Sequence, residues 1–371
     1  MEGNRTNVNI KRSTRCTYID AAKGVGILTT MFVHSSGIPI IGSYLCGLYL
    51  PVFWVIMGYF TPQITKDNLQ IIIKKRFREL MFPYVVSNFI LIPLNWMKLY
   101  LGGGTLSYGY IIRTITGMFY GRYMLGTSLD FPIVIFEYDN HPLWFLPGSF
   151  FACLLFYMLK TKVVCWNAKS TICSCTLCVI IAKIFSNLPI LLPWSIDTAG
   201  CIMVFLIIGN VMKQFGIFDK NVVVIRKRIV ICLLMGAGYI IMCQMDTVAN
   251  IAIRMYGKSI ILYLAKGIIG SFLCVTFFYF IQSWRIVKLF QMLGKMSLDI
   301  LCWHVCLYNM MDSLVFRLCN YTLPILKSNF KVIYYIYCVC QIALVVFIIY
   351  KGRERLYKFK ENILIREKED K

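Results

Sequence analysis

The sequence predicts an all-α fold: a polytopic helical membrane bundle of about ten transmembrane helices, with both termini in the cytoplasm. Three observations predict it. Of 371 residues, 58% are hydrophobic and only 15% charged, against about 25% charged in soluble domains. Apolar runs long enough to cross a bilayer recur from end to end. The Lys and Arg residues collect in the loops between those runs, on one side of the membrane.

The runs fall at about 18–35, 43–60, 79–101, 143–160, 171–188, 195–212, 229–245, 259–281, 297–316 and 331–350. Each is near the ~17–25 residues that span a bilayer. The first follows a polar, basic stretch and leads to further spans rather than to a small-residue cleavage site, so it reads as a retained span and not a signal peptide. The third carries Pro83 and Pro93, either of which could break it. The fourth opens with Trp144, placed as an interfacial anchor. The fifth is rich in cysteine, the eighth contains Lys266, and the ninth contains Ser297, Asp299 and His304.

Charge sets the expected orientation. With this topology the N-terminal tail, the even-numbered loops and the C-terminal tail hold 28 of the 39 Lys and Arg residues. The opposite loops hold seven: Lys98, Arg113, Arg122, Arg254, Lys258, Arg317 and Lys327. The net charge of +22 is thus accounted for by topology, and no nucleic-acid partner is expected. Residues 1–17 form a basic N-terminal tail, residues 18–350 the transmembrane domain, and residues 351–371 a charged tail whose basic residues suit anionic membrane lipid. The longest loop, about 102–142, faces outward. Its tyrosines and carboxylates (Asp130, Glu137, Asp139) would suit a sugar acceptor, and a structural cap is the equal alternative.

The 16 cysteines lie mostly within spans and read as small packing residues. Cys302 and Cys306 share a helix face, but His304 points about 200° away from either. No metal site is expected.

Chemistry concentrates in the first span. Lys23 and His34 are eleven residues apart, about three helical turns, so they share one face about 16.5 Å apart along the axis. Asp20 and Thr30 sit near that face. The stripe Asp20–Lys23–Thr30–His34 is costly in a membrane and marks a bundle interior or wet cavity. His34 suits a general base, but its orienting partner must come from a helix that the sequence does not name. Lys23 suits contact with an anionic donor, or snorkels to the interface. Lys75 and Arg78, in KKRFRELMFPY, share a helix face at the mouth of the third span and could hold phosphate groups. Ser297 and His304 share a face in the ninth span. Lys266 is an intramembrane cation without an assigned role.

Together these segments resemble the acyltransferase 3 family of membrane O-acyltransferases, of the fucose or polysaccharide O-acetyltransferase type. YIDAAKGVGILTTMFVH is similar to the family's basic residue, ten-residue interval and histidine, with Lys where Arg is commoner. LPVFWVIMGYF, KKRFRELMFPY, PLWFLPGSFF and GKMSLDILCWH resemble its later motifs in order. The resemblance implies acyl transfer, most often acetyl, from cytoplasmic acetyl-CoA (or another acyl-CoA) to a hydroxyl of a cell-surface or lipid-linked glycan. It implies a multi-pass protein of a bacterial-type cytoplasmic (inner) membrane that carries no bound cofactor. His34 would be the catalytic base, and Lys23, Lys75 and Arg78 would bind the donor. Asp20, Thr30, Trp144, Lys266, Ser297 and His304 would support them or touch substrate. The competing reading is a transporter or flippase for a lipid-linked sugar, whose permeation path the same stripe would line.

Overall fold

The computed structural model describes residues 16–35, 44–45, 47–122, 124–126, 141–218, 225–246, 249–319 and 323–369. Among these the architecture is entirely helical apart from two isolated bridges, Gly126–Ile190 and Asn250–Met255. The helices are α1 (Thr17–Ser35), α2 (Pro51–Tyr59), α3 (Leu69–Leu101), α4 (Tyr108–Tyr120), α5 (Phe145–Lys160), α6 (Ala168–Ser186) and α7 (Ala199–Gln214). They continue with α8 (Ile225–Met245), α9 (Ile260–Phe280), α10 (Val287–Lys295), α11 (Ser297–Cys319), α12 (Leu323–Asn329) and α13 (Lys331–Glu369).

Every run expected to cross the membrane contains helix. Six stretches among the described residues are long and apolar enough to cross: 69–101, 142–160, 168–186, 193–214, 260–280 and 331–359. The other four depart for identifiable reasons. The α1 helix and the α11 helix are long enough, but Asp20, Lys23 and Asp299 dilute their apolar character. The α2 helix has only nine residues, beginning at Pro51, which favours a helix start. The apolar part of α8, 229–245, is slightly short.

The outward faces are those of a membrane protein. Phe82 and Phe89 on α3, Leu177 and Ile184 on α6, and Val332 and Phe347 on α13 are all exposed. Apolar faces of this extent require cover, and lipid supplies it here. Two elements lie where loop or tail was expected. The α4 helix sits inside the predicted outer loop, started by the Ser107 side chain and stopped at Gly121 with φ 72°. The α13 helix runs unbroken from its apolar part into the charged tail. Asp130, Glu137 and Asp139 lie outside the described residues, as does most of the basic N-terminal tail.

Two backbone-to-backbone crossings place the site. At the crossing of α1 and α10, a Cβ on Gly24 would overlap the Phe290 carbonyl, and one on Gly294 would overlap the Asp20 carbonyl. At the crossing of α2 and α7, Gly58 meets the Leu206 carbonyl and Gly209 the Val55 carbonyl in the same way. Small residues allow such close approach in membranes. A Gly294→Val substitution is expected to push α10 off the segment of α1 that carries Lys23, at a cost of about 1–3 kcal/mol. Thermal melting in detergent reads this as a clear fall in Tm, and an unchanged Tm would contradict the crossing.

Candidate functional site: two abutting cavities along the first helix

The α1 helix is the spine of the site. Two cavities, each of about 360 Å³, lie against it. The near cavity is at the basic end and is lined by Lys23, Ile27, Thr30, Arg76, Glu79 and Ser297. The far cavity is lined by Thr30, His34, Tyr49, Trp144 and the stretch from Ala249 to Ala252. Thr30, Leu50, Phe145 and Leu301 line both. The two spaces therefore meet at a neck of one hydroxyl and three apolar side chains. The Thr30 hydroxyl is occupied locally, donating to the Gly26 carbonyl at 2.8 Å.

In the near cavity the second cation is Arg76. Its Nε donates to the Tyr157 hydroxyl at 2.9 Å and its Nη1 to Glu79 at 2.8 Å. Tyr157, on α5, is itself buried. These bonds hold the guanidinium against the cavity wall. Lys75 and Arg78, one and two positions away, stay on the exposed face of α3, with Lys75 4.0 Å from Glu79. The structure does not bring them into the cavity with Lys23. The helical period placed Lys75 and Arg78 on one face, but the contact with α5 turns the Arg76 face inward.

The neck is stiffened by aromatic stacking. The Trp54 ring stacks on Phe145 at 5.3 Å and on Phe205 at 5.7 Å. Its indole Nε1 donates to the Ser149 hydroxyl at 2.8 Å. Trp144 is buried in the far-cavity wall, so it is not placed as an interfacial anchor. The preceding turn and α5 carry it inward against Trp54.

In the far cavity His34 is half-buried, and the His304 ring lies behind it with a centroid separation of 5.2 Å. The α11 helix thus supplies the neighbour that the sequence could not name. Ser297, about two turns before His304 on α11, lines the near cavity. Asp20 is buried where α10 crosses α1 and lines neither cavity. Lys266 is also outside both. It is fully buried and forms an ion pair with Asp246 at 2.6 Å. Asp246 also accepts from the Lys258 backbone at 2.8 Å. That pair ties the end of α8 to α9, a structural arrangement.

Sequence reasoning missed the support of the far cavity. Asp197 accepts from Arg122 and lies 3.4 Å from Arg254, with all three side chains buried. Arg122 also donates to the carbonyls of Leu192 and Ala252, and Arg254 to the carbonyl of Leu188. Arg254 adopts φ 61° and closes the turn bridged by Asn250 and Met255. Burial lowers the Arg254 pKa, with Asp197 acting against that shift. Burial likewise raises the neighbouring Tyr256 phenol well above its ordinary value. This cluster anchors the 249–252 wall. The signal available was Asp197 itself, an acid inside an apolar run; the two arginines registered only as loop charges. Removing the charge with Asp197→Asn leaves two buried cations without their counter-ion, a loss of about 3–5 kcal/mol. Thermal melting should register it, and a melt like that of the unaltered protein would contradict the cluster's role.

No curated protein and no solved structure matches the chain. A family model described as an acyltransferase domain does match, over residues 17–351, a stretch that contains α1 through the apolar part of α13 and both cavities. The chain belongs to the acyltransferase 3 family of membrane acyltransferases.

Proposed function

We propose that the protein is an O-acyltransferase of the cytoplasmic (inner) membrane of a bacterial-type cell, with ten spans and both termini cytoplasmic. It moves an acyl group, acetyl in the simplest case, from cytoplasmic acyl-CoA to a hydroxyl of a surface or lipid-linked glycan. The observation that carries this reading is the pair of abutting cavities, one holding Lys23 and Arg76 and the other His34, joined at Thr30, Leu50, Phe145 and Leu301.

Each part has a physical task. Lys23 and Arg76 hold donor phosphates, Arg76 through the fork that suits phosphate oxygens. Lys75 and Arg78 stand on the outer face of α3, where they contribute only to the field that draws an anion in. The pantetheine arm runs along α1 toward the neck at Thr30, about 10.5 Å along the axis from Lys23 and about 6 Å short of His34. The apolar neck accepts the acyl end and excludes water. The acceptor hydroxyl enters the far cavity, where the aromatic walls of Tyr49 and Trp144 suit a sugar ring. His34 takes the hydroxyl proton as the oxygen attacks the thioester carbonyl. The C–O bond forms, the C–S bond breaks, and the proton held on His34 passes to the departing sulfur, giving free CoA thiol.

A permeation path for a whole lipid-linked sugar fits less well, because three of the four side chains shared by the cavities are apolar and the stacked rings of Trp54, Phe145 and Phe205 brace them. Mass analysis of envelope glycans from cells with and without the protein tests the proposal. A loss of one acyl mass per modified sugar is the expected result. Identical glycan masses in both strains would overturn it.

A further inference from the structure

A further cationic space lies outside both cavities. A groove of about 710 Å³ runs between α10 and the charged part of α13, within the ~300–1,000 Å³ of small-molecule sites. Its α10 wall carries Lys288 and Lys295, seven residues or about two turns apart and so on one side of the helix. Its α13 wall carries Tyr350, Arg353 and Tyr357, which recur on one face of that helix. Both tyrosine rings are exposed. The cations are not equivalent. Arg353 pairs with Asp299 at 3.1 Å and donates to the Lys295 carbonyl at 2.6 Å and to the Tyr357 hydroxyl at 3.1 Å. Those bonds lock α13 to the joint between α10 and α11. Lys358 pairs with Glu354 at 3.2 Å, and Glu354 also with Lys351 at 2.9 Å. Lys288 and Lys295 pair with no acid among the described residues. The groove adjoins the near cavity: Lys295 and Met296 line the groove, and Ser297, the next residue, lines the near cavity. The α10–α11 joint is thus the wall between the two spaces.

We infer that this groove holds the 3′-phosphoadenosine end of the acyl-CoA donor: Lys288 and Lys295 take the 3′-phosphate, and the Tyr350 and Tyr357 rings flank the adenine. The inference rests on the acyl-CoA reading of the near cavity. CoA carries its negative charge in two places, a diphosphate and a 3′-phosphate on the ribose beyond it. The near cavity holds two cations, Lys23 and Arg76, and Arg76 is also bonded to Glu79, so it matches the diphosphate alone. The adjoining groove supplies the match for the remaining phosphate. A terminal phosphate suits lysine, a point charge that rotates to meet it. Aromatic faces stack on a base, and the Glu361 carboxylate on the same wall suits the exocyclic amine of adenine, which donates. The unbroken run of α13 into the charged segment is what builds this wall. The phosphate of an anionic lipid headgroup is the other source of the same chemistry, and the test separates the two.

Inside-out membrane vesicles containing the full-length protein are given either acetyl-CoA or acetyl-dephospho-CoA, which lacks only the 3′-phosphate. The unaltered protein should show a KM about five- to thirtyfold lower for acetyl-CoA, the effect of two exposed charge pairs. Combining Lys288→Ala with Lys295→Ala should raise the acetyl-CoA KM to near that of the dephospho donor, whose own KM should move by about twofold or less. Arginine at both positions should keep the preference. Calorimetry in phosphatidylcholine nanodiscs gives a reading without transfer: adenosine 3′,5′-bisphosphate should bind more tightly than adenosine 5′-monophosphate, and the double alanine variant should lose that margin. Equal KM values for the two donors in the unaltered protein would overturn the inference, as would a preference that survives the double alanine substitution. Lysine-dependent retention of phosphatidylglycerol in native mass spectrometry, with no binding of the bisphosphate, would assign the groove to lipid and overturn it too. Absence of transfer from either donor would instead sink the acyl-transfer reading, while bisphosphate binding still decides the groove, so the two failures are distinguishable.

Discussion

Replacing His34 with alanine is expected to lower acyl transfer by about 10²–10⁴-fold, the range that a positioned general base contributes. The KM for acyl-CoA should hardly change, because His34 lines the far cavity and not the one containing Lys23 and Arg76. Stability should also hold. His34 is only half-buried, and its removal enlarges a cavity that already exists instead of opening one in the core. The check is acetyl transfer from labelled acetyl-CoA in membranes matched for protein content. Retention of activity to within a factor of a few would remove His34 from the chemistry.

The second large effect is expected at Arg76. Its guanidinium is held by Tyr157 and Glu79 at the wall of the near cavity. Hydrogen bonds to charged groups contribute about 1.5–3 kcal/mol, which is about 10–150-fold in affinity. Arg76→Ala should therefore raise KM for acyl-CoA by that factor while leaving turnover at saturating donor nearly intact. Arg76→Lys should recover only part, since a point charge replaces a planar fork. Lys75→Ala and Arg78→Ala should change KM by about twofold or less, as exposed charges are screened. Steady-state kinetics on the three alanine variants decides among them. A larger effect at Lys75 or Arg78 than at Arg76 would place the donor elsewhere.

The comparison of these three cations shows what was legible in the sequence. KKRFREL announces a basic helix mouth, and its period pairs Lys75 with Arg78. Which side of the helix faces the bundle depends on Tyr157, about eighty residues away, and no local pattern carries that. Lys23, Thr30 and His34 were legible because their spacing lies within one helix, and the structure distributes them along the two cavities in sequence order. The neighbour of His34 was not, because an i to i+270 contact leaves no trace in the spacing of either span. Long apolar helices such as α6 and α9 were readable to within a few residues. The short α2, held by reciprocal glycine contacts with α7, starts at Pro51 inside the apolar run that begins near residue 43. The Arg122–Asp197–Arg254 cluster joins three separate segments, so its two arginines looked like ordinary loop charges, and only Asp197 stood out, as an acid inside an apolar run.

The central claim is directional: the donor engages at the Lys23 end, and the acyl group leaves at the His34 end on the other side of the membrane. Sealed membrane vesicles of opposite orientation, given acetyl-CoA labelled in the acetyl group, test it most directly. Inside-out vesicles, whose cytoplasmic face is outward, should transfer label to glycan enclosed in the lumen, and right-side-out vesicles should transfer none until made permeable. Equal labelling in both orientations, or label found only on the face that received the acetyl-CoA, would contradict the account.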